Sequence, residues 1–196
     1  MQARAARTRQ ALLRAAALEF DRHGYTATSM TQVCKVAGIT TGALTFHFGT
    51  KGELADAVQD HGCQTIRAAV DRVKTAPRPA LDLMVDLTIC LARLLEDDAC
   101  VRCAARLTRE RPGAAPGWMA CWLPTIRELA HRAQRSGQLS AGTPPAAVAS
   151  LATCLLLGTE VRTRAALQAE RAPDGAGQLQ ELWGLALKGM GLDRKG

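Results

Sequence analysis

SMTQVCKVAGITTGALTFHFGTKGELADAV, residues 29–58, decides the fold of this chain. Ser29 is a favourable N-cap residue, and Gln32, three residues later, completes a capping box that opens a helix. Apolar residues then recur at helical spacing until Gly38, which ends the helix because glycine adopts the left-handed C′ conformation at little cost. The stretch therefore begins with a short helix and a sharp stop.

Two more helices follow that glycine. Thr40 or Thr41 caps a short helix that ends by His47, and Thr50 with Glu53 forms a second capping box that opens a long helix. Two helices that meet across a tight turn, the second of them short and faced with small polar residues, have the geometry that reads DNA through the major groove. We therefore predict a helix-turn-helix.

Residues 4–58 carry a longer pattern than a chance pair of helices. A basic opening helix is followed by FDRHGYTATSM, by a helix that ends in AG and by TGALTFHFGTKGELADAV. This order resembles the N-terminal domain of the tetracycline-repressor (TetR) family. Within that family, GALxFHF followed by TK-x-x-LA is most similar to the butyrolactone-autoregulator receptors of filamentous actinomycetes. The resemblance implies a homodimeric repressor that a small molecule releases from pseudo-palindromic operator DNA.

The composition favours an all-α fold of about nine helices. The 196 residues are 47% hydrophobic, which is enough for a sizeable core, and no stretch shows the alternation of a strand. We expect a helix-turn-helix DNA-binding domain over residues 1–50. Residues 51–196 are expected to form a ligand-binding and dimerisation domain, with helix 51–73 as the linker.

The charge distribution favours a polyanionic partner such as double-stranded DNA. The net charge is +7, and up to residue 52 there are seven Arg and Lys residues against Glu19 and Asp21. No apolar run reaches the roughly 20 residues of a membrane helix, and no signal peptide is recognised. We therefore expect a cytoplasmic protein with no membrane partner.

The third helix offers small and polar side chains to DNA. Thr40 and Thr41 lie at its start, where hydroxyl and free N–H groups can face a phosphate or a base edge. Gly42 allows close approach to the groove wall, and Ala43 can touch a thymine methyl group. The residues predicted to contact DNA are Arg4, Ser29, Thr40, Thr41, Gly42, Ala43, Thr45, His47 and Lys51.

Two threonines depart from the pattern KGALYFHF that the resemblance implies. Thr41 stands in place of lysine and Thr45 in place of tyrosine, and the resemblance assigns both usual residues to DNA contact. The loss of one cation should make the salt dependence of DNA affinity shallower by about one unit of slope.

Beneath this surface, the small N-terminal core is predicted to contain Phe20, Tyr25, Val33, Leu44, Phe46 and Phe48.

A ligand cavity is expected beyond the DNA-binding domain. Trp118 and Trp122 follow a Pro/Gly-rich loop, and each can either fill a core or line a cavity. The resemblance assigns Trp122 to the ligand cavity, which suits a small, mostly apolar molecule. The predicted ligand-binding residues, apolar and at helical spacing, are Leu83, Leu87, Leu91, Leu107, Trp118, Cys121, Trp122 and Leu155.

The last two helices are too apolar for an isolated surface. Residues 146–161, AAVASLATCLLLGTEV, are apolar nearly all round, and residues 178–190 carry an apolar stripe. The resemblance implies that these helices form the four-helix bundle of a homodimer. The predicted interface residues are Leu151, Leu155, Leu179, Leu182, Trp183, Ala186 and Met190.

Seven dispersed cysteines do not form a metal or disulfide framework. Cys100 and Cys103 have a C-x-x-C spacing, but no second Cys or His pair follows at the distance of a zinc site. We expect reduced, buried thiols, no metal and no cofactor. A repressor switched by oxidation of Cys100, Cys103 or Cys121 stays open as an alternative.

Two further classes are compared with the leading hypothesis. A pseudo-receptor that answers to an antibiotic or its intermediate would share every feature above. A helical enzyme would need a nucleophile–base pair, a phosphate-binding loop or a His/Glu metal spacing, and the sequence contains none of these. We therefore predict a ligand-responsive repressor and no enzyme, with the long fourth helix as the lever between cavity and DNA-reading helix.

Overall fold

The computed structural model describes residues 2–114, 117–140 and 142–190. Within these ranges the chain forms nine α-helices and one 3-10 helix, Trp118–Cys121, and no residue of them lies in a strand. The predicted all-α fold is confirmed. The α-helices are α1 (Gln2–Ala27), α2 (Met30–Ala37), α3 (Thr41–His47), α4 (Lys51–Lys74), α5 (Ala80–Asp97), α6 (Ala99–Glu110), α7 (Leu123–Arg135), α8 (Pro145–Gln168) and α9 (Gly175–Gly189).

The helix caps of α2 and α3 form as the sequence predicts. The Ser29 hydroxyl accepts a hydrogen bond from the Gln32 N–H at 3.1 Å, and Gly38 takes the left-handed conformation with φ 65°. The Thr40 hydroxyl accepts from the Ala43 N–H at 3.3 Å. These local bonds set the start of α3, the expected reading helix.

The start of α4 differs in one detail from the predicted capping box. The Thr50 hydroxyl accepts from the Glu53 N–H at 3.1 Å, as expected. The Glu53 carboxylate accepts from the Gly49 N–H at 2.9 Å. The reciprocal bond of the box therefore closes on the residue before the cap.

Residues 118–135 form two helices that Trp122 separates. The 3-10 helix comes first, Trp122 has non-helical dihedral angles as the N-cap of α7, and α7 begins at Leu123. Pro124 explains this start because proline is tolerated in the first helical turn but not in a helix interior.

The chain divides into two compact units. One contains the residues up to Thr65 together with Asp98–Trp118, and the other contains Ile66–Asp97 and the chain from Met119 onward. Helix α6 thus packs with the helix-turn-helix, and α4 contributes to both units. These limits differ from the predicted boundary at residue 50, and the assignment of separate functions to residues 1–50 and 51–196 stays a prediction.

The core of the first unit surrounds the short helices. Phe20, Leu44 and Leu54 are completely buried, and Phe48 is nearly so. Phe46, which was predicted in this core, is 81% exposed. The reason is helix geometry: at about 100° per residue, Phe46 points half a turn away from Leu44.

Helix α6 is fixed to α1 by polar bonds around a kink. Gly24 has φ 84° inside α1, where an added Cβ would lie 2.6 Å from an Arg106 nitrogen. The Arg102 Nε donates to the Asp21 carboxylate at 2.6 Å, and Arg106 Nη1 donates to the Asp21 carbonyl at 2.6 Å. The Glu110 carboxylate accepts from the Tyr25 N–H at 2.6 Å. These bonds make α6 part of the frame that holds the reading helix.

The second unit packs α7, α8 and α9 around α5. Trp183 Nε1 donates to the Thr88 hydroxyl at 2.8 Å in the interior. The Glu96 carboxylate accepts from the Ala176 N–H at 2.8 Å and so satisfies one free donor at the start of α9. By length and composition α8 is apolar enough to cross a membrane, a property that it shares with core helices of soluble proteins.

We predict that Gly62→Ala destabilises the first unit. An added Cβ would lie 2.3 Å from the Cys100 carbonyl oxygen of α6, so backbone has to move. We expect a loss of about 1–3 kcal/mol in the free energy of unfolding, measured by urea titration. Gly189→Ala is the matched control, because its Cβ meets nothing within 4 Å. Equal stability of the two variants would contradict the close contact between α4 at Gly62 and α6 at Cys100.

Candidate nucleic-acid interface

The outer face of α3 carries most of the residues that were predicted to contact DNA. Thr40, Thr41, Gly42 and Thr45 are exposed, and Ala43 and His47 are half-buried. Leu44 points into the core and seats the helix. Arg4 on α1 and Ser29 before α2 are also exposed. The structure therefore brings the α3 set together on one surface.

Hydrogen bonds within the chain determine whether the hydroxyl groups of Ser29, Thr40 and Thr45 can donate to DNA or accept from it. The Ser29 and Thr40 oxygens accept from backbone N–H groups, so their O–H protons can donate to a phosphate or a base acceptor. The Thr45 hydroxyl donates inward to the carbonyls of Thr41 and Gly42, each at 3.1 Å. Thr45 therefore presents lone pairs, which suit an amino group of cytosine or adenine.

Lys51 makes several bonds within the chain. Its ammonium donates to the carbonyls of Tyr25 at 2.9 Å, Thr28 at 3.0 Å and Thr26 at 3.3 Å. It also lies 4.5 Å from the centroid of the Tyr25 ring. These bonds fix the turn between α1 and α2. A phosphate contact by Lys51 would have to replace one of them, since an ammonium has three donors.

Phe46 belongs to this surface and was missed by the sequence reasoning. Its ring is exposed and stands edge-on to the His47 ring, with 5.2 Å between centroids. The signal was available in the spacing, because residues 42 and 46 both lie opposite Leu44 on a helix of 3.6 residues per turn. Phe46 was instead assigned to the core together with Phe48, whereas His47 was predicted to contact DNA.

The residues predicted to bind a ligand are packed in the two cores. Leu107 and Trp118 are buried in the first unit. In the second unit Leu155 is half-buried on α8, and the others are buried in the interior: Leu83, Leu87, Leu91, Cys121 and Trp122. Because Leu107 and Trp118 belong to the other unit, the predicted list does not describe one cavity of the second unit.

Two cavities of the second unit are lined by other residues. The larger, about 420 Å³, lies between α7 and the first turns of α8, and we name it the α7–α8 groove. The smaller, about 310 Å³, surrounds the turn between α8 and α9 and is lined in part by Arg162, Thr163 and Arg171. The ten residues of the α7–α8 groove are Met119, Leu123, Arg127, His131, Pro145, Ala146, Ala149, Ser150, Thr153 and Cys154.

The apolar residues of α9 are divided between a buried side and an exposed side of the helix. Leu179 and Trp183, predicted at a subunit interface, are 0% and 1% exposed because they pack into the core of their own unit. Leu182 is 45% exposed, and Ala186, Met190, Leu151 and Leu155 are half-buried. The sequence reasoning missed Val161 on α8 and Leu185 on α9, which are 62% and 69% exposed.

The C-x-x-C cysteines are buried thiols. Burial raises the pKa of the Cys100 thiol to about 12, with Asp98 as a second cause. Burial also raises the pKa of Cys103, with Asp21 as the second cause. Both thiols are therefore protonated near neutral pH. Among the residues that the structure describes, no three His, Cys, Asp or Glu side chains are grouped to hold a metal ion.

Known proteins share this architecture. Residues 12–58 match the sequence profile of the bacterial regulatory proteins of the tetR family. The A-factor receptor protein of Streptomyces griseus is 27% identical over 184 residues, which are 93% of this chain and 63% of that protein. The chain therefore spans somewhat less than two thirds of the length of this relative.

Solved structures agree over nearly the whole chain. A γ-butyrolactone receptor, described as an ArpA-like protein, superposes with a TM-score of 0.78 at 28% identity and covers 95% of this chain and 89% of its own. CprB from Streptomyces coelicolor, a TetR family protein solved with its biological operator sequence, has a TM-score of 0.76 at 30% identity, over 95% and 90%. With this identity over nine tenths of a TetR protein, the chain belongs to the TetR family of bacterial regulators and is related to the γ-butyrolactone receptors.

Proposed function

We propose that this chain is a homodimeric transcriptional repressor that binds operator DNA through α3 and leaves it when a small molecule binds. The observation that carries the proposal is the outer face of α3, where small polar residues and one aromatic ring are exposed on a helix that Leu44 anchors. The similarity to CprB, which was solved with its operator, supports DNA as the partner of this face.

The length of α3 supports a dimer. Its seven residues span about 10 Å, which covers only a few base pairs. Two copies on half-sites one helical turn apart would give enough contacts for a specific site. A pseudo-palindromic operator follows from the twofold symmetry of such a dimer.

Exposed apolar side chains on α8 and α9 support the same conclusion. Val161, Leu182 and Leu185 are large apolar residues between 45% and 69% exposed. Leu182 and Leu185 are three residues apart and so share one side of α9, and exposed apolar groups that lie together mark interaction surfaces. We assign this surface to the partner subunit, in place of Leu179 and Trp183, which already lie in the interior.

Release follows from linkage between two sites. A ligand that prefers the conformation with wrongly spaced reading helices lowers DNA affinity by that preference. The relatives described as γ-butyrolactone receptors support an effector of that type. A pseudo-receptor for an antibiotic or its intermediate is the alternative. Either protein would act in the cytoplasm, on DNA, and without catalysis.

The cysteine-switched alternative has little support. A redox sensor needs an accessible thiolate, and Cys100 and Cys103 are buried thiols with raised pKa values. Cys121 is also buried. We therefore retain the ligand-released repressor as the proposed function.

A mobility-shift assay tests the proposal directly. The probe is DNA from upstream of the protein's own gene, with and without an extract of the source organism and with and without a synthetic γ-butyrolactone. We expect a retarded band that the extract abolishes. A complex that neither addition disturbs would reject release by a ligand, and the absence of any complex with this or randomised DNA would reject the repressor.

We predict that Phe46→Ala lowers operator affinity by about tenfold or more without changing the thermal midpoint. The ring is exposed, so its loss removes a contact with DNA rather than core packing. Fluorescence anisotropy on the retarded fragment measures the affinity. Leu18→Ala, which removes an exposed apolar side chain of α1, outside the proposed DNA-binding surface, is the control. Equal affinity of Phe46→Ala and wild type would remove Phe46 from the interface.

We predict that Leu185→Glu yields monomers. A carboxylate buried between two subunits would cost several kcal/mol, whereas on the free surface it costs little. Light scattering after size-exclusion chromatography gives the mass. Leu18→Glu is the matched control and should remain dimeric. A dimeric Leu185→Glu protein would place the interface elsewhere.

We predict that thiol labelling follows burial. At pH 8, iodoacetamide should modify the exposed Cys154 and leave Cys100 and Cys103 unmodified until denaturant is added. Their raised pKa values leave almost no thiolate. Peptide mass spectrometry identifies the labelled sites. Rapid labelling of Cys100 in the native protein would restore the redox alternative.

A further inference from the structure

We propose that the α7–α8 groove binds an amphipathic anion, a molecule with an apolar body and a carboxylate head, and that this molecule is the effector. The second half of this statement rests on the proposed function, whereas the binding site itself does not. The groove is separate from the predicted Trp122 cavity, and its lining gives it a distinct chemistry.

The groove has the size of a small-molecule site. Its volume is about 420 Å³, within the range of about 300–1,000 Å³ typical of ligand pockets. A cavity of about 150 Å³ holds benzene, so the groove has room for a molecule two to three times larger. Its wall belongs entirely to the second unit.

One part of the wall is apolar. Met119 of the 3-10 helix contributes thioether surface and Leu123 at the start of α7 contributes aliphatic surface, and both are half-buried. Pro145 and Ala149 contribute the facing surface on α8, where Ala149 is buried. Methionine adapts its shape to different occupants because its side chain is unbranched. An alkyl or acyl chain is the body that this surface would take.

The other part of the wall carries one cation, Arg127, with a histidine beside it. Arg127 and His131 stand one turn apart on α7 and are both exposed, so their side chains can converge on one group. The guanidinium can bind a carboxylate with two parallel hydrogen bonds. No acidic residue occurs among the ten described residues of the lining. Glu128, the neighbouring carboxylate on α7, is paired with Lys74 at 2.8 Å.

The groove already contains free space of about 420 Å³, whereas the side chains of the predicted cavity are packed in the interior. Trp122 is completely buried, and Leu87 and Leu91 pack in the same unit's interior with at most 1% exposure. A ligand among them would have to displace close-packed side chains. An anionic effector would favour the pseudo-receptor alternative over a receptor for a neutral lactone.

Calorimetry on the full chain without DNA tests the binding site. Three probes of equal carbon number separate the head groups: decanoate, γ-decalactone and decylamine. We expect decanoate to bind at least tenfold more tightly than the lactone and decylamine not to bind. Binding of decanoate and lactone with equal affinity would overturn the anionic head group, and no binding of any probe would overturn the site.

Paired variants locate the bound probe. Arg127→Gln should weaken binding of decanoate at least tenfold and binding of the lactone less than twofold, whereas Arg132→Gln, on the same helix but outside the groove, should change neither.

Ala146→Trp places a ring in the groove from an exposed position and should abolish binding of decanoate. Gln134→Trp, equally exposed on α7, controls for bulk. Unaltered binding in Ala146→Trp would overturn the location, and so would a change in its oligomeric mass, since the groove would then lie between copies.

The link to regulation is tested separately. Decanoate should release the wild-type protein from its operator fragment and should not release Arg127→Gln. Binding in the groove without release would overturn the effector assignment. If the protein retains no DNA at all, the proposed function fails, and the calorimetry still decides whether the groove binds the anion.

Discussion

The structure depends on how the seven-residue α3 is held. A helix of this length is not stable in isolation, so its position comes from Leu44 and Phe48, which are buried in the core, and from the Thr40 cap. Once Leu44 points inward, Gly42 and Phe46 must lie opposite to it, about 160° and 200° away at 100° per residue. The outer face is therefore determined by the inner one: a glycine next to a phenylalanine, with the lone pairs of Thr45 at the side. Under the proposed function, a helix with this surface would read DNA through shape and through methyl and amino groups more than through charge.

Several cations of the first unit form bonds within the chain. Lys51, Arg102 and Arg106 form bonds within the chain, to carbonyls or carboxylates of α1 and its following turn. Arg111 bonds to Asp56 at 2.6 Å and lies over the Tyr25 ring. The ion pairs of Arg102 and Arg111 leave the net charge unchanged, because their acidic partners are already counted in it. Lys51 bonds to carbonyls instead, so its positive charge belongs to the surplus but is already engaged within the chain. The family resemblance implies a lysine where Thr41 stands, so under the proposed function the affinity for DNA should depend less on salt than the net charge of +7 suggests.

The sequence predicts features that arise within a few residues and fails where packing partners decide. The Ser29 and Thr40 caps and the left-handed Gly38 were predictable because their partners lie at most four residues away. The exposure of Phe46 required knowing that Leu44 is the anchor. The inward side of α9 required knowing that Trp183 bonds to Thr88, 95 residues distant. The membership of α6 in the first unit depends on Asp21, which is 81 residues from Arg102. The ligand cavity was predicted from resemblance alone. The close packing of Trp122 also depends on residues distant in the sequence, so its complete burial could not be predicted from the residues around it.

The position of α6 changes the expected route of release. The sequence suggested α4 as the lever, and α4 does contribute to both units. Helix α6 offers a second and more polar route. Met119 lines the groove, and it follows Trp118, whose N–H donates to the Thr108 hydroxyl of α6 at 3.1 Å. From α6, Arg102 and Arg106 reach Asp21 of α1.

A coupling path needs an element with two arrangements that both sites bias. Under the proposed function, the 3-10 helix is a candidate for such an element, because its hydrogen bonds are weaker than those of an α-helix. Under the proposed function, a ligand that moves Met119 would act on its neighbour Trp118 and so on the bond from the Trp118 N–H to Thr108.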